Sequence, residues 1–242
     1  MLKYIKWFII PCAAIALTIG SALVSYAATG WAEEKGEWVY YNSDGSKAAD
    51  VFKKSGSSWF YLDSDGIIAR DQLIEYENNY FYVDSAGAMA TSQWRSFKNE
   101  DAGEDEPDVW WYYFQSNGKA VKKPSGSGVK FISLPSSAGQ AKFIFDDKGH
   151  MLFGWIDERG EMLTGSDAWK NGLYYCGENG DGRMTAGWKY ITADHNADHN
   201  KDTGNDGDGR WFFFSSSGKK ADDDDPVYDK GRTADSGTEQ LD

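Results

Sequence analysis

Short bursts of large apolar residues alternate with polar, glycine-ended steps along most of the chain. One eight-residue pattern recurs in register: four mostly aromatic residues, three variable ones, then glycine. It reads WVYYNSDG at 38–45, WFYLDSDG at 59–66, YFYVDSAG at 80–87 and WYYFQSNG at 111–118. It continues as KFIFDDKG at 142–149, LYYCGENG at 173–180 and WFFFSSSG at 211–218. Glycine closes all seven, and the starts lie 21, 21, 31, 31, 31 and 38 residues apart. Self-similarity on this scale marks a repeat architecture.

Runs of aromatic and β-branched residues favour a strand. Side chains alternate along it, so Trp38 and Tyr40 share one face while Val39 and Tyr41 share the other. The Asp/Ser/Asn-Gly end supplies a turn, with glycine taking the positive φ that other residues resist. A second short strand is expected after each turn, in SKAAD, IIARD, AMATS and KAVKK, so that each unit is a β-hairpin. A lone hairpin is not stable in water, and stacked neighbours would bury their aromatic faces against one another. The predicted fold is all-β, a solenoid of stacked short β-hairpins. A Gly-Trp pair precedes several hairpins, at Gly30-Trp31, Gly154-Trp155 and Gly187-Trp188, with looser versions at Trp94 and Trp169.

The first residues follow a different pattern. Lys3 and Lys6 introduce an almost wholly apolar run over 7–24, and Ser25-Tyr26-Ala27-Ala28 offers small residues to a signal peptidase. Residues 1–27 are therefore expected to be a secretion signal cut after Ala27, with Ala28 as the near alternative. An uncleaved anchor is the competing reading of an apolar run of that length. The repeat domain is expected over 28–220. The segment 221–242 carries four consecutive aspartates and few large apolar residues, and is expected to be an acidic, disordered tail.

Composition narrows the function classes. The formal net charge is −13, and loss of Lys3 and Lys6 with the signal makes it two units more negative. Such a chain repels nucleic acid and anionic membranes, and no stable membrane insertion is expected after cleavage. Only Cys176 survives cleavage, so no intramolecular disulfide forms even in an oxidising compartment. Aromatics reach 16% of the chain, including 11 Trp and 14 Tyr. Rings with a polar edge suit shallow units whose aromatics stay partly exposed.

The full first copy, GWAEEKGEWVYYNSDG at 30–45, with the steps EMLTG at 161–165 and RMTAGW at 183–188, resembles the cell-wall-binding repeats of the choline-binding type. Their pattern runs Thr-Gly-Trp, a short loop, Gly-x-Trp-Tyr-Tyr, a turn ending in Gly, and a Met-x-Thr-Gly step. The resemblance covers about residues 30–220. It implies a β-hairpin solenoid that holds its protein non-covalently to teichoic or lipoteichoic acid through choline. Related repeats in clostridial toxins and glucosyltransferases bind carbohydrate. Carried onto matching positions, the family's choline site points to Trp31, Trp38 and Tyr61, and a second set pairs Trp188 with Trp211. A trimethylammonium group binds by sitting over ring faces, worth roughly 0.5–2 kcal/mol per ring, and several units would add avidity. Sugars use the same rings through their apolar CH faces. Departures from the pattern are AADVF at 48–52, ARDQL at 69–73 and ATSQW at 90–94, with Lys142 and Leu173 replacing the first hairpin aromatic. Choline, another wall glycan, and a purely structural stack of rings all remain open.

No Gly-x-Ser-x-Gly, His-Glu-x-x-His or Cys-x-x-Cys motif occurs, and repeats fill the chain where a catalytic domain would stand. An enzyme, a cofactor and a metal site are therefore not expected, and Cys176 reads as a packed hydrophobe. Acidic insertions at 98–108 and 193–209 read as hairpin-loop extensions. The second alternates Asp194, Asn196, Asp198, Asn200 and Asp202, but lacks the glycine and terminal glutamate of an EF-hand in register. It is expected to be a solvated loop, and the spacing of His195 and His199 carries no ligand meaning there. The expected function is a secreted, non-catalytic binding protein, non-covalently associated with the bacterial wall, whose partner is choline-substituted teichoic acid or another wall polysaccharide. The alternatives are a structural or protein-interaction scaffold and a remnant targeting module of a wall hydrolase.

Overall fold

The computed structural model describes residues 29–100, 102–103, 106–126, 128–165, 167–191 and 210–222. The expected secretion signal, the acidic loop at 193–209 and the tail beyond 222 lie outside them.

The described chain is all-β apart from one helical turn. Its elements are β1 (Gly30–Glu34), β2 (Glu37–Tyr41), β3 (Val51–Ser55), β4 (Ser58–Leu62), β5 (Gln72–Tyr76), β6 (Asn79–Val83), β7 (Gln93–Lys98) and β8 (Val109–Phe114). They continue as β9 (Ile132–Ser136), β10 (Gly139–Phe143), β11 (Trp155–Ile156), β12 (Met162–Leu163), α1 (Ala168–Asn171), β13 (Tyr174–Tyr175), β14 (Gly187–Ile191) and β15 (Arg210–Phe214). Two-stranded sheets join β1–β2, β3–β4, β5–β6, β7–β8, β9–β10 and β14–β15; β11 stands between β12 and β13.

The aromatic strand is where the repeat pattern puts it, but its partner is not. The expected partner after each glycine makes only isolated bridges, such as Tyr41 with Lys47, Leu62 with Ile68 and Phe114 with Ala120. The true partner is the segment before the aromatic strand. In β1–β2, Lys35 and Gly36 take φ of 54° and 87°, and Glu77 and Asn78 take 47° and 57° between β5 and β6. Two successive positive-φ residues are the tight hairpin turn whose twist matches its strands.

The conserved-in-register glycine closes a different device. The N–H of the turn glycine donates to the carbonyl three residues back in six of the seven repeats, among them Gly66 to Asp63, Gly87 to Asp84 and Gly149 to Asp146. The Asp63 carboxylate accepts the N–H groups of Asp65 and Ile67, and the Asp84 carboxylate those of Ala86 and Ala88. This turn brings the chain back along its own strand. The third residue after the turn then donates to the third position of its own repeat, as Ala48 to Tyr40, Ala69 to Tyr61, Val121 to Tyr113 and Ala221 to Phe213. The second residue after the turn donates to the first position of the preceding repeat: Ile68 to Trp38, Met89 to Trp59, Ala120 to Tyr80, Met151 to Trp111 and Lys220 to Leu173. Within each unit, hairpins are thereby fastened to one another by backbone hydrogen bonds, whatever side chains the repeat carries.

Two compact units are present. Unit 1 takes in the described residues up to Ile74 together with 82–90; unit 2 takes in 75–81 and the described residues from Thr91 onward. In unit 1 the core is Ala48, Phe60, Leu62 and Ile68, with Trp31, Trp38, Tyr40, Val51 and Ala88 packed against it. The described residues of unit 2 include several clusters. One gathers Tyr113, Leu134, Phe143, Phe145 and Met151 under Trp94 and Trp111. Another gathers Trp155, Tyr175, Ile191, Phe212 and Phe214. A third gathers Ile144, Leu152, Ile156 and Cys176.

Candidate functional site

The hairpin register fixes which rings can act together. The leading aromatic of each hairpin lies opposite the third position of its repeat: Trp31 opposite Tyr40, Phe52 opposite Tyr61, Trp94 opposite Tyr113, Trp155 opposite Tyr175 and Trp188 opposite Phe213. Cross-strand partners share a face, and alternation adds the first position to it. The recurrent unit is therefore a three-residue face: Trp31, Trp38 and Tyr40; Phe52, Trp59 and Tyr61; Trp94, Trp111 and Tyr113; Trp155, Leu173 and Tyr175; Trp188, Trp211 and Phe213. The second and fourth positions point the opposite way. They supply Phe60 and Leu62, Phe143 and Phe145, and Phe212 and Phe214, all buried.

Within a unit, the three-residue face of one hairpin packs on the second and fourth positions of the next. Trp31 meets Tyr40 at 5.4 Å and Phe60 at 5.6 Å between ring centroids, both edge-on. Trp94 meets Tyr113 at 5.2 Å, Phe143 at 4.8 Å and Phe145 at 5.9 Å. Trp155 repeats the arrangement with Tyr175, Phe212 and Phe214. The indole N–H is satisfied on the next hairpin, Trp31 Nε1 donating to the Lys54 carbonyl at 3.1 Å and Trp94 Nε1 to the Pro135 carbonyl at 2.8 Å. Both acceptors are the fourth residue of the next leading strand. These tryptophans thus orient one hairpin on another as well as presenting a ring.

Trp31 and Trp38 lie on one face of β1–β2. Tyr61 stands elsewhere. Phe60 is the residue of β4 that meets Trp31, so Tyr61, one position on, faces the other way and pairs with Phe52 at 5.0 Å. Tyr61 belongs instead with Phe52 and Trp59, and Trp59 is 41% exposed. Phe52 was hidden in the sequence because the unit lacks Gly-Trp. Its signal is position, one place after the valine that opens β3. Trp188 and Trp211 share a face of β14–β15, each opposite another ring: Trp188 with Phe213 at 5.3 Å and Tyr190 with Trp211 at 5.6 Å. Tyr190 is 39% exposed. Trp169 does not lead a hairpin but sits in the helical turn α1. The leading strand for β13 is β11, which also pairs with β12 across a further glycine-closed turn, from Asp157 to Gly160, that the repeat pattern does not reveal.

The electrostatics suit a cation. Glu33, exposed, lies directly across from Trp38 on the Trp31 face. The chain's own ammonium groups already use these rings: Lys53 Nζ lies 4.7 Å from the Tyr40 centroid and Lys122 Nζ 4.9 Å from that of Tyr80. Cys176 is fully enclosed, and burial pushes its thiol far above the ordinary range, with Asp181 adding to the shift. It is no nucleophile at neutral pH. Among the described residues, no group of three or more His, Cys, Asp and Glu side chains could hold a metal ion.

Hairpins joined by backbone bonds, with rings that are buried at Trp155 and Tyr175 and partly exposed at Trp38, Trp59 and Trp211, define a repeat protein whose rings hold neighbouring hairpins together. Residues 28–66 match the choline-binding repeat, and residues 111–120 match the cell wall binding repeat. No curated protein matches the chain. Among solved structures it is similar to choline binding protein F from Streptococcus pneumoniae, at 24% identity over 80% of this chain and 52% of that one, with a TM-score of 0.46. It is also similar to the choline binding domain of Spr1274 from Streptococcus pneumoniae, at 28% identity over 40% of this chain and 99% of that one, with a TM-score of 0.30. Truncated alternansucrase from Leuconostoc mesenteroides shares 22% identity over 51% of this chain and 10% of that one, with a TM-score of 0.37. The chain spans about half the length of choline binding protein F.

Proposed function

We propose that this chain is an exported, non-catalytic module that attaches to a choline-substituted polymer of the bacterial wall through its partly exposed ring faces. The observation that carries the proposal is the Phe52, Trp59 and Tyr61 face. It lies inside the matched segment 28–66, and its first-position ring is 41% exposed. Trp31 with Trp38 and Trp188 with Trp211 are the other proposed contact sets. A ring face attracts a quaternary ammonium through its quadrupole. Lys53 over Tyr40 and Lys122 over Tyr80 support a preference for cations over neutral sugars. The negative net charge does not favour a polyanionic polymer by itself, so its cationic substituent is the part recognised. Association with the wall is then non-covalent and additive over several weak sites.

The test is tryptophan fluorescence of the chain titrated with choline and then with purified wall polysaccharide. A saturable response to choline that Trp38→Ala and Trp59→Ala each weaken is the expected result. A response to polysaccharide alone moves the ligand to glycan. Silence to both leaves the rings a structural stack and sinks the proposal.

A further inference from the structure

The corner between a leading tryptophan and the second-position ring of the next hairpin is filled in three places by the same backbone position. That position is the second residue after the turn glycine, whose N–H bonds the first-position carbonyl of the preceding repeat. In unit 1 it is Ile68, buried in one cluster with Phe60 and with Trp31 packed on it. In unit 2 it is Met151, buried in one cluster with Phe143 and with Trp94 packed on it. At the third corner, also in unit 2, it is Lys220. Trp155 and Phe212 stand there with centroids 4.9 Å apart and planes at 75°. The Lys220 ammonium lies 5.3 Å from the Trp155 centroid and 5.8 Å from that of Phe212, and donates a hydrogen bond to the Trp169 carbonyl.

We propose that Lys220 is a built-in cation ligand, and that its ammonium occupies a cation-recognising corner of unit 2 and denies it to free quaternary ammonium ligands. The inference rests on the reading that these ring faces recognise cations. Two ring faces at a steep angle present their negative quadrupoles to one point. A carbonyl beside them accepts one of the three ammonium protons. An isoleucine or methionine at the same position fills such a corner by dispersion alone. A lysine could have carried its charge out to water while its stem covered the rings; instead Nζ turns to the rings and the carbonyl. The tether makes the local ammonium concentration far exceed that of any free ligand. The corner is thereby a structural joint, and wall contacts are left to the exposed first-position rings.

Chemical rescue tests this. Thermal unfolding of the full chain and of Lys220→Ala and Lys220→Met is followed against n-butylammonium and against n-butanol, which matches it in shape without the charge. Lys220→Ala is expected to melt below the parent chain. Its Tm should then rise by on the order of 3–6 °C at n-butylammonium tenfold above its Kd. That rise should exceed any seen in the parent chain and in Lys220→Met, and n-butanol should not reproduce it. Equal rescue by the alcohol, or rescue by neither compound, overturns the proposal, because the corner would then be a cavity without preference for charge. Should Lys220→Ala not fold, NMR of the parent chain decides. The Lys220 ε-methylene protons should be shifted upfield by the rings relative to other lysines, and an ordinary shift overturns the placement. A parent chain that ignores choline while Lys220→Ala is rescued by n-butylammonium would defeat the wall-binding proposal and leave this one standing.

Discussion

Removing the indole at two places separates rings that hold the fold from rings offered to a ligand. Trp155 is 1% exposed, with Tyr175, Phe212 and Phe214 rings at 5.2, 4.9 and 5.8 Å. Trp155→Ala deletes a fully buried side chain from a cluster that cannot close over the gap, at a cost of about 3–5 kcal/mol. For a chain of this size that lowers Tm by about 6–20 °C. Trp59 is 41% exposed, and its backbone carbonyl keeps the bond from Met89 whatever the side chain. Trp59→Ala should change stability by no more than about 0.5 kcal/mol, or roughly 2 °C, while weakening wall binding. Calorimetry gives the midpoints. Stacked repeats need not melt in one step, so hydrogen exchange at the Tyr175 and Phe214 amides locates the loss in unit 2. A Trp155→Ala chain that melts within 2 °C of the parent, or a Trp59→Ala chain that melts as low as Trp155→Ala, would refute the division between the two kinds of ring.

Three further outcomes follow from single sites. Gly87→Ala should lose about 1–3 kcal/mol, because φ is 82° and a Cβ would lie 2.4 Å from Ile68 Cγ2; denaturant midpoints measure it. At Asp157 burial pushes the carboxyl up, but the N–H groups of Glu161 and Arg159 and the Arg159 guanidinium together hold it below its ordinary 3.8. Its contribution is therefore present above pH 3.8 and lost as pH falls through the lower folded value, and a chain with Asp157→Asn should show a shallower acid decline in Tm over that range. Cys176, in a chain with Cys12→Ala, should resist iodoacetamide at pH 8 until the fold opens, at a labelling rate that tracks denaturant; prompt native labelling would contradict its enclosure.

Much of the fold is legible in the seven Gly-ended patterns, because each carries the donors and acceptors that fasten it. The aromatic strand, the glycine-closed turn and the stacking of neighbours all follow from those residues. The strand partner does not. Lys35-Gly36 and Glu77-Asn78 are ordinary-looking pairs, and only their positive φ shows that the tight hairpin turn lies before the aromatic strand. The segment after the glycine was the more hydrophobic choice, as IIARD and KAVKK suggest, but its apolar side chains serve the joint to the preceding repeat instead. At the candidate site, parity decided the outcome. Trp31 and Trp38 are separated by a turn that keeps them on one face, whereas Tyr61 and Phe60 differ by one residue and so by a whole face. Phe52 escaped notice because its neighbours are not Gly-Trp. Lys220 did so because a lysine after a glycine reads as solvent-exposed until the rings around it are seen.

Co-sedimentation with purified Gram-positive cell walls tests attachment to the wall through the partly exposed rings most directly. The parent chain should pellet with choline-bearing walls and be released by free choline. A chain with Trp38→Ala, Trp59→Ala and Trp211→Ala together should stay in the supernatant while remaining folded, its Tm lowered by the loss of Trp38 from the core of unit 1. A parent chain that never pellets, or a triple variant that pellets as well as the parent, would contradict the account.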